Sequence, residues 1–261
     1  MFVDIHCHLI PGIDDGAKTW DETLAMARMA VADGIGTIIV TPHQLGNYSH
    51  NQAATIRART SELQAFLDQH QVLLSVLPGA DVRIETDLPA RIGRGEVLSL
   101  ADRCRHILLE LPHEIYIPID RLLADLATIG LVGVLSHPER NSGILTQPSV
   151  VRPLVAAGCL MQITAGSLLG AFGPVCQKFS DWLVEEGLVH FVSTDAHGSK
   201  SRRPLLRKAF DRIVELAGWE TALDLCCRNP AAVAAGQQVV ASRPPARTSR
   251  WRSWLGRKKA A

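Results

Sequence analysis

The chain has 261 residues, 47% of them hydrophobic and 20% charged, enough to bury a substantial core in one domain of α/β-barrel length. No apolar stretch reaches the ~18 residues a spanning helix needs, and the start lacks the basic region, apolar run and cleavage site of a signal peptide, so the sequence reads as cytoplasmic. The formal net charge of +1 hides an asymmetry: residues 243–261 hold seven basic residues and no acid, and without them 20 basic residues face 26 acidic ones, a balance of −6 for the body.

Apolar runs of strand length recur in chain order: FVDI, GTIIV, LLSVL, HILLEL, LVGVLS, LMQIT and HFVST. Helical patterns lie between most of them. In WDETLAMARMAVADG, Thr19 is the expected N-cap, Glu22 its capping-box partner and Gly34 the stop. Buried strands that alternate with helices predict an α/β fold with a parallel sheet, and about seven such units predict a closed or nearly closed TIM-like barrel. The Pro, Ser and Arg content of ASRPPARTSRWRSWLGRKKAA places a domain boundary near residue 240, dividing a folded domain (1–240) from a basic, flexible tail (241–261).

Two histidines, His6 and His8, end the first apolar run. Residues two apart on a strand share a face, so both imidazoles point at one place while Cys7 points away. Alone the pair says little, but other strand ends carry similar groups. TIIVTPH delivers His43, LPGAD delivers Asp81, HILLELP delivers Glu110, GVLSHPER delivers His137, and FVSTDAH delivers Asp195 and His197. In a parallel barrel these ends converge on the face where active sites lie. With Asp15, five of the ten histidines and four carboxylates then share one cleft. So many carboxylates repel one another unless cations are present. A nitrogen and oxygen donor set without thiolate suits manganese, magnesium, iron or zinc, and nine donors imply roughly two or three divalent ions, of the kind that activate a water for in-line attack on phosphorus.

Other phosphatase chemistry is excluded. A cysteine phosphatase places an arginine six residues after its nucleophile, and none of Cys7, Cys104, Cys159, Cys176, Cys226 and Cys227 has one; nor do they form a C-x-x-C pair, so they read as reduced, packed thiols. There is no phosphate-binding G-x-x-x-x-G-K-[ST] loop. Cations for phosphoryl oxygens are at hand in Arg140, three residues after His137, and in Arg202 and Arg203, just after His197.

The ordered motifs DIHCHLIPGIDDGA, TIIVTPH, LPGADVRI, ILLELP, VLSHPERN, QITAGSLLGAFG and FVSTDAH, with NPAAV near the end of the domain, resemble the PHP (polymerase and histidinol phosphatase) superfamily. Within it they are most similar to the bacterial capsular or exopolysaccharide tyrosine-protein phosphatases of the CpsB/YwqE type. The resemblance implies a distorted (β/α)7 barrel with a trinuclear, usually manganese-supported centre that hydrolyses phosphotyrosine on a tyrosine autokinase controlling polysaccharide polymerisation and export. Carried over position by position, it implies metal ligands at His6, His8, Asp15, His43, Asp81, Glu110, His137, Asp195 and His197, with Glu110 bridging, and phosphate-facing arginines at Arg140 and Arg202, Arg203 being the adjacent alternative. The chain departs from the family in carrying Asp81 where Glu is common, which shortens one donor.

Two other readings compete: a small-metabolite phosphatase resembling histidinol phosphatase, and a metal-binding regulatory protein without turnover. An acidic body offers no arginine stripe for a nucleic-acid backbone. The tail sets Trp251, Trp254 and Leu255 at helical spacing among arginines, as interfacial anchors do. It is expected to contact the inner leaflet or an acidic face of the cognate kinase through residues 243–261. A homo-oligomer is compatible with the sequence.

Overall fold

The structure, a computed structural model, is described for residues 1–239. The tail at 241–261, and with it the membrane or kinase contact expected at 243–261, lies outside the described residues. Among the described residues nine strands follow one another: β1 (Phe2–Cys7), β2 (Ile35–Val40), β3 (His43–Gln44), β4 (Ser75–Pro78), β5 (Asp81–Arg83), β6 (His106–Glu110), β7 (Val132–Ser136), β8 (Leu160–Thr164) and β9 (Phe191–Ser193). They form two sheets, ordered β1-β2-β4 and β3-β5-β6-β7-β8-β9, and every pairing is parallel. The fold is α/β with parallel sheets, as the alternation of apolar runs and helical patterns predicts.

The break between the sheets has a local cause. β2 stops before Thr41-Pro42, and Pro42 has no N–H to give a ladder. β4 stops before Gly79, which lies so close to β2 that a Cβ there would come 2.7 Å from Ile39 Cγ2. The chain steps sideways at both points, so β2 pairs with β4 in one sheet and β3 with β5 in the other, His43 opposite Asp81. His43 and Asp81 therefore open short strands of their own, where the sequence predicts that they close longer ones. On the far side, β1 and β9 meet at a parallel bridge between Cys7 and Ala196, where Asp195 N donates to His6 O at 2.8 Å and His8 N to Ala196 O at 2.9 Å.

Side-chain alternation sorts the strands' residues into two cores. A small inner cluster gathers Ile5, Ile39, Leu108, Val134 and Phe191, with Leu77 and Leu160 packed against it. A larger cluster joins the opposite faces, among them Ile38, Leu109, Leu135, Ile163 and Val192, to the helices. Two residues beyond Leu108 and Leu160 on the same faces come Glu110 and Gln162, so a polar layer sits directly above the inner apolar one. In β1 the pairing register shifts between Asp4 and Cys7, as a bulge allows. Cys7 joins the outer core while His6 and His8 point into the polar layer.

Helix α1 (Trp20–Asp33) begins as the sequence predicts: Thr19 accepts from Glu22 N at 3.2 Å, and Gly34 ends the helix in the left-handed region at φ 99°. The capping box is displaced by one residue, since Glu22 Oε2 accepts from Lys18 N, at 3.2 Å, instead of from the cap itself. All six cysteines are free. No helix among the described residues is long and apolar enough to cross a membrane.

Candidate metal centre

The polar layer unites all nine predicted donors. Four groups of donor atoms lie close enough together to hold a cation: His8, Asp15, His43 and His197; His6, His8 and Asp81; His6, His137 and Asp195; and His43, Asp81 and Glu110. Shared members knit the four into one cluster. His6 Nε2 lies 3.2 Å from His8 Nε2, 3.5 Å from Asp81 Oδ2 and 3.3 Å from Asp195 Oδ1. His43 Nδ1 lies 3.4 Å from Asp81 Oδ2 and 3.7 Å from Glu110 Oε2, while His137 Nε2 lies 3.8 Å from the other oxygen, Oε1. Glu110 thus faces two histidines with two different oxygens, the disposition a bridging carboxylate requires. Asp15 Oδ1 stands 3.4 Å from His43 Nε2 and 3.3 Å from His197 Nε2.

Several donors have nothing else to bind. Both carboxylate oxygens of Asp81 and Nε2 of His197 are buried without a hydrogen bond. An unsatisfied buried carboxylate is costly, and each such group in a folded protein calls for an explanation. Burial, then the neighbouring Glu110 carboxylate, pushes Asp81 well above the usual carboxylate range; burial also raises Glu110, against the pull of Arg83. Burial lowers His6 and His43 to about 3 and His137 well below its ordinary value, so these imidazoles are neutral at physiological pH with lone pairs free for a metal. The donor set fits divalent cations: oxygen and nitrogen only, with Cys7 turned away and its thiol pushed well up by burial.

Residues that the sequence reading passed over hold the ligand candidates in place. Asp14 is one. Its Oδ2 accepts from His8 Nδ1 at 2.7 Å and from His43 N at 3.1 Å, and its Oδ1 accepts from Gly16 N at 2.9 Å. Burial works against the His8 imidazolium, but Asp14, then Asp195, outweighs it and lifts His8 to about 10. The Asp-Asp-Gly run is thereby explained residue by residue. Asp14 turns in to hold the His8 imidazole and the His43 backbone N–H, Asp15 faces the cluster, and Gly16 is required because a Cβ there would lie 2.3 Å from His8 O. Gln162 plays the matching part for His6, its Oε1 2.8 Å from Nδ1. Carboxylates and amides behind ligating histidines fix tautomer and ring orientation in metal sites. The adjacency of Asp14 to Asp15 signalled the first; only the pairing of β8 with β9, and of β9's end with β1 through the Cys7–Ala196 bridge, places the second.

The arginines divide. Arg140 Nη1 donates to Asp195 Oδ2, its guanidinium 4.5 Å from the Phe172 ring centroid. Arg202 Nη2 donates to the same oxygen at 2.5 Å. Asp195 therefore offers Oδ1 to His6, His8 and His197 and Oδ2 to two cations. Burial opposes its charge, but His6, His8 and both arginines hold it well below the carboxylate range. Arg203 is exposed and stays outside the cluster. His137, Asp195 and Arg202 all adopt left-handed backbone, at φ 34°, 49° and 46°. Such conformations cost of order 1–3 kcal/mol each and concentrate at functional sites.

Beside the cluster opens a cleft of about 320 Å³, lined among others by Asp15, His43, Gly46, Tyr48, Arg83, Glu110 and His113. Parallel strands bring five imidazoles and four carboxylates into one largely buried layer, with two arginines and an open cleft at its rim, the arrangement of an α/β protein with a candidate metal centre. The family described as capsular polysaccharide synthesis, CpsB/CapC, matches residues 2–235, and the chain belongs to it. It is 41% identical over 202 residues to the tyrosine-protein phosphatase YwqE of Bacillus subtilis, covering 77% of this chain and 79% of that one. To the tyrosine-protein phosphatase CpsB of Streptococcus pneumoniae it is 26% identical over 243 residues, 91% of this chain and 100% of that one. A crystal structure from the pair YwqE and CpsB, described as unique metal-dependent tyrosine phosphatases, superposes with a TM-score of 0.88 at 37% identity, covering 95% of this chain and all of that one.

Proposed function

We propose that this chain is a metal-dependent protein-tyrosine phosphatase, a phosphoric monoester hydrolase acting in capsular or exopolysaccharide synthesis. The observation that carries the reading is the buried cluster of nine donors in which the oxygens of Asp81 accept no hydrogen bond. The likeness to YwqE and CpsB supplies the substrate class, phosphotyrosine, and a tyrosine autokinase is the substrate protein that fits it. His6, His8, Asp15, His43, Asp81, Glu110, His137, Asp195 and His197 would hold two or three ions, manganese before iron, magnesium or zinc. The two-sheet arrangement is read as the family's distorted (β/α)7 barrel, with β2/β3 and β4/β5 as two bent strands and the Cys7–Ala196 bridge as its seam. The phosphatase domain is taken to end near residue 240.

When bound, divalent cations supply Lewis acidity toward phosphoryl oxygens and lower the pKa of a coordinated water. The chain's own residues do the rest. Arg140 and Arg202, gathered on one oxygen of Asp195, present guanidinium forks to the phosphate as it arrives, and charge that develops on its equatorial oxygens is met by donors already oriented. Phe172 under Arg140 limits the guanidinium's freedom and so its reorganisation. Asp14 and Gln162 keep His8 and His6 in the tautomers that aim Nε2 at the cluster. No cysteine takes part: Cys7 is packed in the outer core.

Activity on a phosphotyrosine peptide, measured with manganese, with chelator and after thiol alkylation, tests the reading. The expected result is turnover that chelator abolishes and alkylation leaves intact. Faster turnover of histidinol phosphate than of the peptide would favour the small-metabolite phosphatase, and metal binding without turnover of either the regulatory protein.

A further inference from the structure

The cleft beside the cluster has one aromatic wall, and no step above uses it. Tyr48 lies with its ring parallel to the His43 imidazole, centroids 5.3 Å apart and planes inclined by 19°. It is half-buried, with the His50 ring centroid 6.1 Å away, and it lines the cleft together with Glu110, Arg83 and His113. We propose that Tyr48 is a specificity-determining residue: its ring stacks on the aromatic ring of the phosphoester's leaving group, so that the site selects aryl over alkyl phosphates. This rests on the phosphotyrosine reading and says how that site would recognise the tyrosine.

The segment that carries Tyr48 is built to hold a wall in place. Leu45 and Gly46 both adopt left-handed backbone, at φ 71° and 54°, and the turn closes with Tyr48 N donating to Leu45 O at 2.9 Å. Gly46 N donates to Glu85 Oε1 at 2.9 Å, and Asn51 N to Tyr48 O at 2.9 Å. Beneath it the buried amide of Gln44 donates to Asn51 O at 2.9 Å and to Glu96 O at 2.8 Å. A Cβ at Gly46 would meet Arg83 Cγ at 3.3 Å, so the bare glycine lets the Arg83 stem lie along the turn. The Arg83 guanidinium lines the same cleft, anchored 3.3 Å from Leu111 O, and supplies a cation for the ring of a bound aryl group. A phosphate held at the metal cluster by an ester to a flat ring has somewhere to put that ring; an ester to a serine side chain leaves this wall uncovered.

An aromatic pair of this kind contributes enough to change selectivity by up to about tenfold, and as binding shared by ground and transition states it acts on KM more than on kcat. The experiment compares kcat/KM for phosphotyrosine and phosphoserine peptides of the same sequence in wild type, Tyr48→Phe, Tyr48→Leu and Tyr48→Ala. Metal content is measured alongside, with equilibrium binding of a peptide carrying the non-hydrolysable phosphonomethyl-phenylalanine. Expected are a phosphotyrosine-to-phosphoserine ratio kept in Tyr48→Phe and reduced by up to about tenfold in Tyr48→Leu and Tyr48→Ala, a rise in KM, and weaker binding of the phosphonate peptide at unchanged metal content. Should the ratio stay as in wild type, or both substrates fall together with metal content, Tyr48 only props His43 and the inference is overturned. A wild type that does not turn over phosphotyrosine overturns the underlying reading itself, a distinct result.

Discussion

Two halves of the buried cluster are built on opposite plans. Around His8 every polar atom is spoken for: Asp14 ties its Nδ1 and the His43 N–H, and Gly16 ties Asp14. Around Asp81 nothing is: two buried carboxylate oxygens accept no hydrogen bond at all. Few buried carboxylates in folded proteins are left this way, and under the proposed function the contrast separates positioning from ligation. Asp14, which holds others, is satisfied within the protein, while Asp81 would be left open toward a cation.

The largest effect is expected from removing proposed ligands. His6→Ala, His137→Ala and Asp195→Ala should each lower turnover on a phosphotyrosine peptide by on the order of 10³-fold or more, with metal content by elemental analysis falling in step. A variant that loses activity but keeps its full complement of metal would put that residue on the wrong side of the comparison. Arg140→Ala comes next. It should cost on the order of 10²-fold in kcat, the scale of one lost transition-state donor, with metals retained, because Arg140 touches the cluster only through Asp195. Unchanged turnover would remove Arg140 from the mechanism.

Asp14→Asn sharpens the contrast from the satisfied side. It keeps the shape but weakens the hold on His8 and His43, and losses of this kind are typically 10–100-fold in metal affinity or activity. Titration with manganese should show weaker binding that excess metal restores, unlike the loss of a ligand such as Asp195.

The smallest effect concerns a histidine outside the cluster. His190 is buried, and its Nδ1 accepts from Met161 N at 3.0 Å, so it must stay neutral; burial lowers it to about 4. The unfolded chain, with an ordinary value of 6.5, binds the proton first on acidification, so stability is full above about pH 6.5 and is lost as pH falls toward 4. The loss is roughly 3 kcal/mol. In chelated protein, His190→Asn keeps an acceptor for Met161 N, and the fall in Tm between pH 6.5 and 4 should be shallower; an unchanged slope would locate the acid sensitivity elsewhere.

Much of this was legible along the chain. Apolar runs separated by amphipathic stretches state a parallel α/β fold because strands covered on both faces must be apolar throughout, and Thr19 and Gly34 mark the ends of α1 by local chemistry alone. Eight of the nine candidate donors lie at or just past an apolar run, and in a parallel sheet all such ends emerge on one side; Asp15 lies on the loop beyond β1. Tertiary structure decided what spacing cannot express. Pro42 and Gly79 break two strands and set His43 opposite Asp81. Asp14 and Asp15, identical in type and adjacent in sequence, take different tasks because one is turned inward against His8 and the other is half exposed at the rim. Arg202 reaches Asp195 and Arg203 does not, since the backbone at Arg202 is left-handed and aims its neighbour at solvent. Gln162 supports His6 from 156 residues away, a partnership that exists only once β8 stands beside β9 and β9 has met β1. Local pattern determines which residues sit at strand ends, but the direction of each side chain there depends on register and backbone sign, and those are settled by the packing of the whole.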